Sequence, residues 1–363
     1  MSEQADAVRD AEGSTPTLYS VRDLHMHFPV LGGVLRRKVG EVKAVDGVSL
    51  DIRQGETLGI LGESGCGKST LGRVLTLLEK PTSGALEYTF ADDSAPTRVD
   101  QLDRGRLFRF RREVQMIFQD PYSAFDPRQR VGDAFEELLV VHGVRSRSAR
   151  QDRVEQALGM VNMRPDALAK LPHEFSGGQR QRLCIARCLT ISPRLVIADE
   201  IVSALDVSIQ AQVINILRRI QDELGTTFAF ISHDVSVVQY MSDRVAIMYL
   251  GEVMEVLDSD GMHDLARHPY TQALLSAVPT MDEETRRARI VLAGDVPSPI
   301  NKPEGCPFST RCPYVMERCR VEKPLLRVPD PDRPSHVIAC HLDPAPTIGE
   351  RTARTAPADE VMS

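Results

Sequence analysis

The order of apolar and polar positions lays out most of the secondary structure. Residues 57–62 (TLGILG) form an unbroken apolar run, as expected of a parallel strand buried on both faces. Two similar runs follow at 195–200 (LVIADE) and 226–234 (TTFAFISHD). Helices are predicted between them, over Ser69–Leu78, Gly178–Ser192 and 207–224 (VSIQAQVINILRRIQDEL). From Ser148 to Val161, the residues Val154, Ala157, Leu158 and Val161 fall at i, i+3, i+4 and i+7 and give one apolar helix face. The texture from about 130 to 170 is helical throughout. Nearer the start, 18–28 (LYSVRDLHMHF) and 42–52 (VKAVDGVSLDI) read as strands, the second with Val45, Val48, Leu50 and Ile52 as its apolar positions. A turn over Arg53–Glu56 leads into the first buried run. Strand alternating with helix predicts an α/β fold around a mostly parallel sheet covered on both faces. After Pro279 the periodicity gives way to Pro, Cys and Arg. A boundary is therefore expected there, followed by a small accessory region over 280–342. Residues 1–16 and 343–363 read as disordered tails, and no long internal repeat is visible.

A chain of 363 residues suits one large α/β domain with an accessory piece. The formal net charge of −7 gives no reason to expect a nucleic-acid partner held by bulk charge. The basic run Arg104–Arg112 is local and is expected to be a solvated surface. The first sixteen residues are polar and acidic without an apolar core, unlike a signal peptide. No apolar run reaches the ~18 to 20 residues that span a bilayer. The expectation is a cytosolic protein that would serve any membrane process by docking on other subunits.

The strongest chemical signal is Gly62-Glu63-Ser64-Gly65-Cys66-Gly67-Lys68-Ser69-Thr70, set between a buried strand and a helix. It fits G-x-x-x-x-G-K-[ST] in the strand–loop–helix context that the motif requires. Glycines let backbone N–H groups turn inward around phosphates, and the helix N-terminus adds partial positive charge. Lys68 is expected to reach the β- and γ-phosphates of ATP and Ser69 to ligate Mg²⁺. Gly62, Ser64, Gly65, Cys66, Gly67 and Thr70 complete the expected nucleotide contacts. The second buried strand delivers Asp199 and Glu200 at its C-terminal end, where ligands bind in open α/β sheets. Asp199 can hold Mg²⁺ through water, and Glu200 can act as general base.

With these residues in place, the sequence resembles the ABC ATPase family, whose other motifs follow in order. Phe175-Ser176-Gly177-Gly178-Gln179 resembles the family's signature loop, with Phe for the usual Leu. Gln119 resembles the glutamine that contacts Mg²⁺ and the attacking water and reports to the membrane subunits. Ser203-Ala204-Leu205-Asp206 matches the loop that crosses the dimer interface, with Asp206 as its acid. His233 matches the switch histidine that contacts the γ-phosphate. Phe28 is the candidate aromatic for stacking on adenine. One departure is Ile201, where the family usually has Pro after the catalytic glutamate. The resemblance implies a P-loop ABC nucleotide-binding domain over 17–279. That domain would have a parallel-sheet core, an antiparallel β subdomain and a helical subdomain at about 120–185. In the family, the phosphate loop and signature loop of one chain do not meet. Each faces the other loop of a second chain, so that ATP glues two domains together.

The resemblance narrows over 115–132 and after 265. QMIFQDPYSAFDPRQRVGD, HPYTQALLSAVP and GDVPSPINKPEGCPFSTRCPYVMERC are similar to ATPase subunits of oligopeptide, dipeptide and nickel importers, and to the second ATPase of such pairs. The similarity spans about residues 18 to 341. It implies a paralogous ATPase as heterodimer partner, two membrane permeases, an extracytoplasmic solute-binding protein, and a peripheral place on the cytoplasmic face of the membrane. It leaves the cargo open.

Cys66, Cys184 and Cys188 are scattered, whereas Cys306, Cys312, Cys319 and Cys340 crowd the accessory region with the spacing C-x5-C-x6-C-x20-C. In a reducing compartment such a cluster points to metal before disulfides. The paired C-x2-C knuckles usual for four-cysteine zinc sites are absent. Some members of the importer family resemble a wider [4Fe–4S] arrangement of this kind. Arg311, Arg318 and Arg320 stand nearby to offset its charge. An iron–sulfur cluster, zinc and no metal all remain open, with the cluster preferred. A non-transport ABC ATPase acting on nucleic acid or the ribosome would show a long coiled coil or two cassettes, and this chain has neither. Asn301-Lys302-Pro303-Glu304 lies outside any strand that could carry a GTPase base-reading motif.

Overall fold

The computed structural model describes residues 15–32, 37–278 and 290–342. The two expected tails, apart from Thr15 and Pro16, and the boundary expected near 280 lie outside the described residues.

Two sheets share the core. β1 (Thr17–Gly32) and β2 (Arg37–Arg53) form a long antiparallel ribbon that β4 (Ser83–Tyr88) and β5 (Thr97–Arg98) extend, in the order β2-β1-β4-β5. The larger sheet has the order β11-β10-β9-β3-β8-β7-β6 among the described residues. Within it β6 (Val114–Ile117), β7 (Leu195–Asp199), β8 (Thr227–Ser232), β3 (Thr57–Leu61) and β9 (Arg244–Tyr249) run parallel. The antiparallel β10 (Glu252–Asp258) and β11 (Val337–Ile338) finish one edge. The expected mostly parallel core is therefore present, with an antiparallel border.

The unbroken apolar runs have the predicted cause. Leu195 and Ile197 pack towards the antiparallel sheet, while Val196 and Ala198 pack towards the helices on the other face. Ala229 and Ile231 divide from Phe228 and Phe230 in the same way. Each strand thus removes apolar surface from water on both sides.

The helices are α1 (Lys68–Leu75), α2 (Arg104–Glu113), α3 (Val131–Val141), α4 (Arg147–Met160), α5 (Gly177–Leu189) and α6 (Val207–Leu224). They are followed by α7 (Val235–Met241), α8 (Met262–Leu265), α9 (Pro269–Ser276) and α10 (Glu317–Val321). In α4 the predicted face of Val154, Ala157 and Leu158 is buried. The basic run forms α2, with Phe110 buried and Arg104, Arg111 and Arg112 exposed. Two helices end earlier than expected. α1 stops at Leu75 because the Thr76 hydroxyl donates to the Gly72 and Arg73 carbonyls and Leu77 adopts φ 55. α5 stops at Leu189, and Ser192 turns the chain with φ 53.

The region after 290 is built into the ATPase core. β11 adds a strand to the large sheet by pairing Val337 with Val256 and Ile338 with Glu255. Cys306, Phe308 and Cys319 join the helix-side core, and Leu326, Val337 and Ala339 join the other.

Candidate nucleotide site

The phosphate loop hangs between Leu61 at the end of β3 and Lys68 at the start of α1. Its glycines are sterically required at two points. Gly67 has φ 104, and a Cβ there would lie 2.0 Å from the Ala44 carbonyl oxygen. A Cβ on Gly62 would lie 2.2 Å from the Met248 carbonyl oxygen. The loop is thus pressed against the backbones of β2 and β9, and a side chain at either place would push it out. The Lys68 ammonium is buried and donates to the carbonyls of Gly62 at 2.7 Å and Glu63 at 3.0 Å.

A cleft of about 390 Å³ opens over this loop. Of the residues predicted for ATP, it is lined by Phe28, Ser64, Gly65, Gly67, Lys68, Ser69 and Thr70, with Gln119 and Glu200 also in its wall. Gly62 and Cys66 do not line it. The Cys66 thiol is buried among core residues under the loop, and that burial pushes its pKa up. The Cys66 side chain therefore packs under the loop and not in the cleft wall. Sequence reasoning missed Val42, Lys43, Ala44, Leu250, Gly251 and Pro299, which complete the wall. They carry no motif, and only the pairing of distant strands brings them here.

The acids at the end of β7 meet their predicted partners. The Ser69 hydroxyl donates to Asp199 Oδ1 at 2.9 Å. Burial raises the Asp199 pKa, against the opposing Ser69 hydrogen bond, so a cation beside the ionised carboxylate would be favourable there. Ser69, Asp199 and Gln119 offer the hard oxygens that Mg²⁺ selects, so the residues present fit that ion. Glu200 holds φ 47, a left-handed conformation rare for a residue with a side chain. Its N–H donates to the Ile231 carbonyl at 2.9 Å, and the Ser203 hydroxyl donates to its carbonyl at 2.9 Å. Its carboxylate accepts from the Gln119 amide at 2.9 Å and lies 3.4 Å from His233 Nδ1. Ile201, in place of the usual Pro, is 2% exposed and held by the core, so packing takes over where ring stiffness is missing.

The signature residues lie apart from this cleft. Ser176 caps α5 through a reciprocal pair of hydrogen bonds: its hydroxyl accepts from the Gln179 N–H at 3.3 Å, and the Gln179 side chain accepts from the Ser176 N–H at 3.0 Å. Phe175 is buried beneath them, which explains how Phe substitutes for Leu. None of Ser176, Gly177, Gly178 and Gln179 lines the cleft, and neither does Asp206. Asp206 precedes α6 without capping it, and Val207 beside it is 82% exposed.

The accessory region reaches the site from two sides. Pro299 lines the cleft, and its carbonyl accepts from the Lys43 N–H at 3.3 Å. Lys302 anchors that segment through Asp46 at 3.0 Å and Glu252 at 3.6 Å. It is an ion-pair anchor and has no base-reading role. His25, His27 and Asp46 gather within 4.8 Å of one another. Lys302 and Lys323 already meet Asp46 there, so the cluster is a charge network and a poor cation site. Elsewhere, Cys306 is pushed up to about 12 by burial, with Cys340, Cys312 and Cys319 adding to the shift. The four predicted thiols therefore converge on one neighbourhood. They are not among the described groups whose ligand atoms fall within 4.8 Å, unlike a tetrahedral zinc site with sulfurs about 3.8 Å apart.

Known proteins share these features. The family model for "ABC transporter" matches residues 45–203, and the one for "Oligopeptide/dipeptide transporter, C-terminal region" matches 254–319. The oligopeptide transport ATP-binding protein AppF of Bacillus subtilis (strain 168) is 47% identical over 329 residues, covering 90% of this chain and 97% of that protein. The di/tripeptide transport ATP-binding protein DppF of Pseudomonas aeruginosa (strain UCBPP-PA14) is 43% identical over 325 residues, covering 90% and 97%. The ATP-binding cassette MJ0796, solved as a dimer in a post-hydrolysis state bound to ADP and Pi, aligns with a TM-score of 0.57 at 26% identity. That alignment covers 67% of this chain and 99% of the cassette.

Proposed function

The chain belongs to the ABC transporter ATPases of the oligopeptide/dipeptide type, and from that premise we propose how its residues bind and split ATP to power peptide import. The observation that carries the reading is the meeting of Gln119, Glu200 and His233 over a phosphate loop whose Ser69 is bonded to Asp199.

Backbone N–H groups of Ser64, Gly65 and Gly67 and the start of α1 cradle the phosphates, while Lys68 swings from the loop carbonyls to the β- and γ-oxygens. Phe28 and Pro299 flank the base. Ser69, Gln119 and Asp199 are the residues that would hold Mg²⁺, Asp199 through a water. When bound, Mg²⁺ neutralises charge developing on the transferred phosphoryl group. Glu200 accepts the proton of the attacking water, which the Gln119 amide and the His233 imidazole orient. Ser176, Gly177, Gly178, Gln179 and Asp206 of a second ATPase close the site, a role supported by their absence from the cleft of their own chain. The dimeric state of the similar MJ0796 cassette also supports it.

The partner ATPase is a paralogue, so the working unit is a heterodimer on two permeases fed by a solute-binding protein, without nucleic acid. No helix among the described residues is long and apolar enough to cross a membrane, in keeping with a peripheral place on the cytoplasmic face. A groove of about 580 Å³ near Gln119, lined by Met116, Phe118, Leu138 and Arg187, suits a permease segment. The ATPase domain comprises 17–279 with a helical subdomain at about 120–185, and 280–342 is a Cys-rich extension. In that extension Cys306, Cys312, Cys319 and Cys340 would hold a [4Fe–4S] cluster as a structural cross-link, favoured over zinc because paired C-x2-C knuckles are absent from their spacing.

The test of the chemistry is Glu200→Gln. It should lower kcat by about 10²- to 10⁴-fold while equilibrium dialysis still finds ATP bound. Turnover equal to wild type would remove Glu200 as the base.

A further inference from the structure

The first side chain of the phosphate loop is an acid that does not itself line the cleft but sits beside residues that do. Glu63 follows Gly62, and its carbonyl is one of the two that hold Lys68. Its carboxylate has the same sign as a polyphosphate, which would weaken binding if left unbalanced. The balancing group comes from the accessory region. Arg311 Nη1 donates to Glu63 Oε2 at 2.9 Å and Oε1 at 3.1 Å. The Arg311 side chain is 10% exposed and Glu63 is 28% exposed, so the pair is only partly screened by water.

Arg311 is itself held in place. Its N–H donates to the Phe308 carbonyl at 3.0 Å, and its guanidinium lies 5.9 Å from the Tyr249 ring centre. Tyr249, Tyr270 and Phe308 pack as one aromatic group with ring centres 4.7 to 5.4 Å apart. Tyr270 in turn accepts a hydrogen bond from the Glu63 N–H at 3.0 Å. Glu63 is therefore fixed at its backbone by α9 and at its side chain by the turn at 308–311. Both contacts are made by the protein's own side chains and need no metal at Cys312.

We propose that Arg311 is a positioning residue for ATP, through which the C-terminal region neutralises Glu63 and sets the loop that carries Lys68. This rests on the nucleotide reading of the cleft and adds that nucleotide affinity depends on a residue far beyond the motif. With charge as the main effect, Arg311→Gln loses affinity, Arg311→Lys keeps most of it, and removing the Glu63 charge suppresses the loss.

The experiment uses the full chain, a fluorescent mant-ATP titration, steady-state ATPase kinetics and a melting curve without nucleotide. R311Q should raise both KM for ATP and Kd for mant-ATP by about five- to tenfold, with kcat within about twofold of wild type. The deficit should shrink in about 0.5 M KCl, R311K should stay within about threefold of wild type because one nitrogen makes both contacts to Glu63, and R311Q/E63Q should recover most of the lost affinity. Wild-type affinity in R311Q would overturn the proposal, as would a loss that E63Q fails to suppress. If R311Q is too unstable to assay, Arg311→Met takes its place in the same cycle: about a fivefold or greater loss that E63Q suppresses supports the proposal, and wild-type affinity overturns it. Failure of the wild type to bind mant-ATP would instead remove the nucleotide reading itself.

Discussion

His25 shows how single residues tie this molecule together. One ring nitrogen lies 3.1 Å from Asp46 and the other 3.1 Å from Asp23, so the doubly protonated ring satisfies both carboxylates. The Asp46 hydrogen bond raises its pKa, outweighing burial, with Asp23 adding to it. Burial would raise Asp46, yet His25 and the ammonium groups of Lys302 and Lys323 hold it far below the usual range. The signs then follow. His25 stabilises the fold fully below about pH 6.5 and loses that contribution as pH rises through its raised folded value. Asp46 contributes above about pH 4 and loses it only in strong acid. Melting wild type and His25→Gln between pH 5.5 and pH 8.5 (about the span of the histidine range) should show a Tm gap that narrows as pH rises. A gap that widens with pH would contradict the protonated reading. Such residues were legible unevenly. Lys68, Ser69, Asp199, Glu200, Gln119 and His233 sit in short motifs whose chemistry is fixed by spacing. Asp46, Lys302, Pro299 and Arg311 act across more than two hundred residues of chain in several cases, and no local pattern marks them.

Among the elements, the buried strands and α6 were readable because an apolar run or a 3.6 period needs no partner to be recognised. Helix ends were not, since α1 ends through a hydroxyl at Thr76 and a left-handed Leu77. The C-terminal region was readable only as a change of composition. Its strand β11 spans Val337–Ile338, too short to announce itself, and exists because the edge of β10 accepts it. Folding of this region therefore leans on the ATPase sheet and on the cysteines. Anaerobically purified wild type should be brown, with visible absorbance that Cys312→Ser bleaches and a Tm lowered by several degrees, about the effect of 1 to 2 kcal/mol in a chain of this size. A colourless, iron-free wild type would remove the cluster and leave the extension held by Cys306, Phe308 and Cys319 packing alone.

At the scale of the whole molecule, the proposed function has one chain contribute half of each of two sites. The cleft carries the phosphate loop with Gln119 and Glu200 in its wall, and His233 reaches Glu200 from beyond the wall, whereas the capped N-terminus of α5 and exposed Asp206 lie outside it. Sequence order marks both sets of residues, but their separation is a property of the folded chain. In the proposed arrangement the N–H groups at the start of α5 meet a phosphate brought by another subunit. On that proposal, binding energy for ATP becomes association energy, and hydrolysis releases it as motion. The most direct measurement is sedimentation of the Glu200→Gln chain with its paralogous ATPase, with and without ATP. A particle of two ATPase chains that forms only with ATP, and is lost when the signature serine Ser176 is replaced by Arg, is the predicted result. ATP enclosed and hydrolysed by wild-type chains that remain single at every concentration would contradict it.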